Sequence, residues 1–191
     1  KILSFNESNV KVLEKLSDLY QNIEMYKEQL LILNLWLKSD ASNSKAISQK
    51  KEAYKALGKD EVDVDKERWK SDPSNINFAL DYLRSLRNSG LEKEIISVGE
   101  EMLVYDRTNK LVLEIIAESH LNLYNLNKAK EKYLFLYNNV NPDYGYSIEI
   151  SKILVEELLF EDAYEWAEDA VLRSNKSPEA FFQRAEVLFD T

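Results

Sequence analysis

His120 is the single histidine in this 191-residue chain, and cysteine is absent. Acid–base chemistry near neutral pH most often uses an imidazole, and nucleophilic or metal chemistry needs a thiolate or further imidazoles beside it. No such companion exists here. The other candidates are carboxylates: Glu100 with Glu101, Glu156 with Glu157, Glu161 with Asp162, and the triplet Asp60, Asp63 and Asp65. A proton donor and acceptor must converge on one point, whereas adjacent residues of a helix point roughly 100° apart. The paired acids therefore read as solvated surface. The Asp triplet lacks the glycine and the closing Glu of a calcium loop. No glycine-rich phosphate loop occurs. The expectation is a chain that is not an enzyme, with no catalytic residue, no metal site and no cofactor.

The charge balance narrows the partners. Lys and Arg total 25 against 34 Asp and Glu, a formal net charge of −9. Binding phosphate backbones needs a basic footprint, so nucleic acid is not expected. The apolar fraction of 45% suits a folded chain. Four glycines and three prolines favour long helices with short turns. The run LLILNLWL, residues 30–37, is too short to span a bilayer, and no signal peptide opens the chain. The absence of cysteine slightly favours the cytoplasm, although periplasmic or anchored domains without cysteine are common. Lys1 at the start and Thr191 inside a helical pattern read as a piece excised from a longer protein.

What must position these residues is a periodic set of helices. Leu83, Ala117, Ser151 and Ala185 lie 34 residues apart, as do Leu86, His120, Leu154 and Leu188. Ile95, Ala129 and Ala163 form another column, and Met102, Leu136 and Ala170 a fourth. This register sets repeats starting at Ile76, Lys110, Tyr144 and Pro178, with weaker ones at Val10 and Ser44. Each is preceded by a residue that caps helices well: Asn9, Asn43, Asn75, Asn109, Asp143 and Ser177. Pro178 then occupies the favoured first helical position. The spacing predicts helices over 76–89, 92–105, 110–123, 126–139, 144–157 and 160–173, joined by short turns into antiparallel pairs. Residues 58–72, dense in charge, predict a short or irregular helix. In the repeat at Ser44, Lys50 and Lys51 fall where apolar and small residues are expected. His120 falls in a packing column and reads as a core residue. Ala163, Ala167 and Ala170 lie on one helical stripe, where small side chains let axes approach to near ~8 Å. Large neighbours such as Tyr133 or Leu188 would fill the space above such alanines.

A 34-residue helix–turn–helix unit with small residues at its eighth and twentieth positions resembles the tetratricopeptide repeat. Ala117, Ser151 and Ala185 match the eighth position, and Ala129 and Ala163 the twentieth. Tyr133 matches the twenty-fourth, Ala170 the twenty-seventh and Phe181 the fourth. Tyr20 and Tyr54 match the eleventh, and Gly58 and Gly90 the turn. The repeat at Ile76 departs, with Leu83 and Ile95 at the small positions, and Pro73, Pro142 and Pro178 are displaced from the family's proline. The HAT-type repeat of RNA-processing complexes has a similar period and stays open beside it. The resemblance implies an all-α fold, an α-solenoid of antiparallel helix pairs wound as a right-handed superhelix. Residues 1–75 form degenerate N-terminal pairs. Residues 76–191 hold three well-matched repeats and the first helix of another, all in one continuous array.

The resemblance also implies a concave groove lined from positions two, five, nine, twelve and thirteen of each repeat. These positions hold Leu80, Arg84, Arg87, Asn88, Glu114, Glu118, Leu121, Asn122, Ile148, Lys152, Val155, Glu156, Phe182 and Glu186. The surface mixes apolar and charged groups. Arg84 and Arg87 form a basic spot, and an acidic bias follows beyond residue 110. No consecutive repeats carry the Lys and Asn set of the two-carboxylate clamp, so chaperone tails are not expected. The reading is a binding scaffold that takes a basic and apolar segment of another protein in its groove. One alternative is an accessory region of a larger multidomain enzyme. Another is a self-assembling array, with Phe181, Phe182 and Leu188 joining copies through the C-terminal end.

Overall fold

The structure, a computed structural model, describes residues 9–190. These form α1 (Val10–Asn22), α2 (Tyr26–Ser39), α3 (Ser44–Ala56), α4 (Val62–Ser71), α5 (Ile76–Asn88), α6 (Glu92–Leu103), α7 (Lys110–Asn122), α8 (Leu126–Asn139), α9 (Tyr144–Glu156), α10 (Phe160–Arg173) and α11 (Pro178–Asp190). No strand occurs among the described residues. The six helices anticipated from the 34-residue spacing end within two residues of the observed bounds.

Helix starts follow the cap column. The side chains of Asn9, Asn43 and Asn109 accept from the backbone N–H three residues on, at Val12, Ala46 and Val112. Asn75 and Asp143 accept from Asn77 and Gly145, two residues on. Ser177 differs: its N–H donates to Ser174 Oγ at 3.2 Å, and its carbonyl accepts from Phe181. Helix ends repeat as well. A residue at positive φ follows each first helix of a pair, at Glu24, Gly58, Gly90, Tyr124 and Leu158. The next N–H then closes back on the carbonyl of Tyr20, Tyr54, Leu86, His120 or Leu154, at 2.8–3.0 Å. This is the closing bond of a Schellman turn. Only two of the five positions hold glycine, so Glu24, Tyr124 and Leu158 adopt a backbone that L-residues disfavour.

Contacts divide the chain into two compact units, with the boundary inside α5 between Ser85 and Leu86. In the N-terminal unit α1 packs on α2, α2 on α3 and α3 on α4. Leu13, Ile32, Leu33, Trp36, Leu37 and Ala46 form its core. The LLILNLWL run thus buries one face of α2, while Leu31 stays 66% exposed. The lysines that break the repeat pattern are held by acids on α4. Lys50 is 5% exposed and pairs with Glu67 at 2.6 Å, and Tyr54 donates to the same carboxylate at 2.7 Å. Lys51 pairs with Asp65, which is 1% exposed and also takes Arg68 and Ser85. Arg68 reaches Asp81 at 3.1 Å and the Ala41 carbonyl at 3.2 Å. A buried charge without partners would cost several kcal/mol, so this network replaces the apolar seam as a connected whole. The ten-residue α4 buries Asp65 and Arg68 beside the apolar Val62, Val64 and Trp69.

In the C-terminal unit α7 packs against both α6 and α8, and α9 against α8, α10 and α11. Ala129, Ala163, Ala167 and Ala170 are fully buried, as the small-residue stripe requires. Gly99 plays the same part on α6: an added Cβ would lie 2.6 Å from Ile116 Cγ1. Two expectations are corrected at α11. Ala185 is exposed, since no second helix packs over it among the described residues, and Leu188 is 58% exposed rather than filling space above alanines. Asp169 on α10 ties three helices. It accepts from Tyr137 of α8 at 2.9 Å and Ser147 of α9 at 2.6 Å, and pairs with Arg173 of its own helix. Burial opposes its charge, but these donors outweigh burial and hold the carboxyl below its usual range.

Candidate functional site

Within the C-terminal unit the first helices of successive pairs bring carboxylates onto one face. A pocket of about 350 Å³ opens there, between α7 and α9 and above α8. Its walls carry Glu114, Glu118 and Leu121 from α7 and Gly145, Tyr146 and Glu149 from α9, and Tyr133 of α8 contributes from below. Tyr133 is 5% exposed, and its ring lies 6.1 Å from that of Tyr146. Tyr146 donates its hydroxyl to Glu114 at 2.6 Å.

The charges that line this pocket are all carboxylates. Their cationic neighbours stand at the rim: Arg87 on Glu118, Lys110 3.8 Å from Glu114, and Lys152 2.7 Å from Glu149. Lys110 also lies over the Tyr146 ring, 5.6 Å from its centre. Burial, then the charges of Glu149, Glu118 and Glu114, push the Tyr133 hydroxyl far above its usual range. Burial and the bond to Glu114 do the same to Tyr146. Both phenols therefore stay protonated in a negative field. These carboxylates do not converge on one ion: among the described residues no group of three acids or imidazoles could hold a metal.

The residues expected to line a groove fall into several environments. In the N-terminal unit, Leu80 is half-buried and Arg84 is exposed, paired with Asp81 at 3.1 Å. In the C-terminal unit, Arg87 is taken by Glu118. Both arginines of the supposed basic spot are therefore already in ion pairs. Asn88 is exposed. Asn122 donates to Glu92 at 2.9 Å, and Glu156 accepts from Tyr124 at 3.0 Å. Glu114, Glu118 and Leu121 stand together in the pocket, with Lys152 at its rim and Val155 half-buried one turn on. Phe182 is 64% exposed and Glu186 is exposed on α11. Ile148 does not line a groove. It is 2% exposed and packs with Ala170 and Ala180. The fifth position faces the next first helix: Glu114 meets Tyr146 there, whereas Ile148 meets the small Ala180 and is covered.

His120 is 4% exposed; burial, then Lys128 and Lys132, lower its pKa and keep it neutral at pH 7. The paired acids diverge: Glu156 binds Tyr124 and Glu157 binds Lys130. A second cavity of about 480 Å³ is lined by Leu103, Val104, Leu113 and Phe135 together with Glu100, Arg107, Glu131 and Lys132, of which Glu100 and Lys132 pair at 2.6 Å. No helix among the described residues is long and apolar enough to cross a membrane.

No protein-family model matches this sequence, and no curated protein matches it. Solved structures do match in shape. YrrB, described as a TPR protein with an unusual peptide-binding site, superposes with a TM-score of 0.63 at 12% identity, covering 97% of this chain and 96% of its own. MamA from Desulfovibrio magneticus gives 0.59 at 15% identity, covering 88% of this chain and 97% of its own. TTC0263, a TPR protein from Thermus thermophilus, gives 0.55 at 12% identity, covering 94% and 99%. Capped 34-residue hairpins, buried alanines at their crossings and these likenesses together give the chain the fold of a tetratricopeptide-repeat α-solenoid.

Proposed function

We propose that this chain is a protein-interaction scaffold whose first-helix face in the C-terminal unit receives a segment of another protein. The observation that carries the reading is the pocket between α7 and α9. It is concave, floored by Tyr133 and Tyr146, and walled by Glu114, Glu118 and Glu149. A rigid helical frame holds these groups with little freedom to lose on binding, which favours affinity. The peptide-binding site named for YrrB belongs to that protein, and the shared fold makes the same mode of action available here. The reading includes no catalysis.

The test is selection of binding peptides from a displayed random library against the full chain, followed by calorimetry with two variants. Glu118→Lys should weaken the selected peptides by at least about tenfold. Glu165→Lys, on the exposed side of α10, should leave them unchanged. Binding lost only with Glu165→Lys, or no binder at all, contradicts the proposal.

A second reading, self-association through α11, is favoured by Phe181, Phe182 and Phe189, which are 40%, 64% and 91% exposed. Sedimentation equilibrium of the chain and of Phe182→Glu decides it. A dimer dispersed by the substitution supports self-association, and a strict monomer at high concentration removes it.

A further inference from the structure

We infer that the pocket between α7 and α9 is built for one cationic side chain, a lysine or arginine presented by the partner segment; this rests on the scaffold reading above.

Three observations converge on that ligand. First, Glu114, Glu118 and Glu149 line the cavity, and the cations that pair with them, Arg87, Lys110 and Lys152, stand at its rim rather than inside it. Second, Tyr133 is nine-tenths buried yet lines the same cavity, and its hydroxyl makes no hydrogen bond with any described residue. The ring is buried while its oxygen opens into the cavity among carboxylates, where it can accept from an arriving donor. An ammonium or guanidinium carries several donors and no acceptor, and so satisfies the phenol oxygen and the carboxylates together. Third, the chain already shows the preference. Lys110 sits at the rim beside Glu114, over the Tyr146 ring at 5.6 Å. That is the attraction between a cation and an aromatic face, reinforced by a carboxylate.

Size and surroundings select the same class. A volume of about 350 Å³ holds one long side chain rather than a folded segment. Among the described residues no group of three acids or imidazoles could hold a metal ion. Leu121 on the wall gives the methylene stem of the entering residue an apolar surface, while the charged head stays among the acids. An anionic side chain would face Glu114, Glu118 and Glu149 on the cavity wall, and a neutral one would leave the Tyr133 oxygen without a donor from the partner.

The test uses capped host peptides in which one central residue is lysine, arginine, norleucine or glutamate within an otherwise constant apolar sequence. Each is titrated into the full chain, with Kd from calorimetry and the contact face from amide NMR shifts. The lysine or arginine peptide should bind at least about tenfold tighter than the norleucine peptide. Its shifts should centre on Glu118, Tyr133 and Glu149, and affinity should fall as salt is added. Comparison of the two cationic peptides identifies which head group fits. Glu149→Gln should remove most of the preference, and Lys110→Gln, by removing the competitor at the rim, should strengthen binding. Equal binding of lysine and norleucine peptides on this face overturns the inference and leaves the scaffold reading standing. Shifts only on other faces, or none with any peptide, overturn both.

Discussion

Replacing Gly99 with alanine tests how closely α6 and α7 approach in the C-terminal unit. Taken alone, alanine in a helix interior is more stable than glycine by about 1 kcal/mol. Here the new Cβ would sit 2.6 Å from Ile116 Cγ1 and 2.8 Å from Cδ1. Carbon atoms in good contact lie ~3.5–4.0 Å apart. Ile116 is fully buried and β-branched, so it has no rotamer into which to retreat. Overpacking of this kind costs about 1–3 kcal/mol, so the balance predicts a loss of up to about 2 kcal/mol. The diagnostic is the partner background. Ile116→Ala alone should cost about 2–5 kcal/mol. In that background the clash is gone, and Gly99→Ala should stabilise by about 1 kcal/mol. Urea denaturation of the four proteins gives the coupling directly, and a value of about 1–3 kcal/mol is expected. If Gly99→Ala stabilises equally with and without the isoleucine, the close crossing of α6 and α7 is wrong.

Three further outcomes follow from the packing. Asp65→Asn leaves the buried Arg68 and the half-buried Lys51 short of their shared carboxylate, and chemical denaturation should show a loss of about 3 kcal/mol. Leu158→Gly should stabilise by about 1 kcal/mol in the same assay, since Leu158 has φ 61° and is 73% exposed, so little packing is lost with its side chain. Asp169 has its folded pKa depressed, so its stabilisation is present above the unfolded value near ~3.9 and is lost as pH falls through the folded value. Thermal melts from pH 6 down to about 2 should therefore show a drop below about pH 4 that is shallower in Asp169→Asn.

The sequence carries the helices more fully than the site. A cap residue before every repeat and alanines at constant spacing mark the starts and crossings, because both follow from local chemistry and period. The left-handed turns at Glu24, Tyr124 and Leu158 carry no such mark, since a backbone hydrogen bond closing the turn holds a conformation that glycine would take freely. Lys50 and Lys51 look like faults in the repeat because their partners, Glu67 and Asp65, come from another helix. For the pocket, the position rule of the family reaches Glu114, Glu118 and Leu121. It omits Tyr146 and Glu149, at positions three and six, and treats Tyr133 as packing alone. It also places Ile148 in the open, although Ile148 is covered where the next first helix brings the small Ala180. The distinction depends on Tyr146 against Ala180, a contact across one repeat that no single position reveals.

The central claim is tested most directly by a double-mutant cycle between Glu149 and the peptide lysine. Calorimetry would measure four affinities: the native chain and Glu149→Gln, each with the lysine and the norleucine host peptide. A lysine head seated in the pocket predicts a coupling of about 1.5 kcal/mol or more, reduced at high salt. Additive effects, with coupling near zero while the lysine peptide still binds tightly, would place the cation elsewhere and contradict the account.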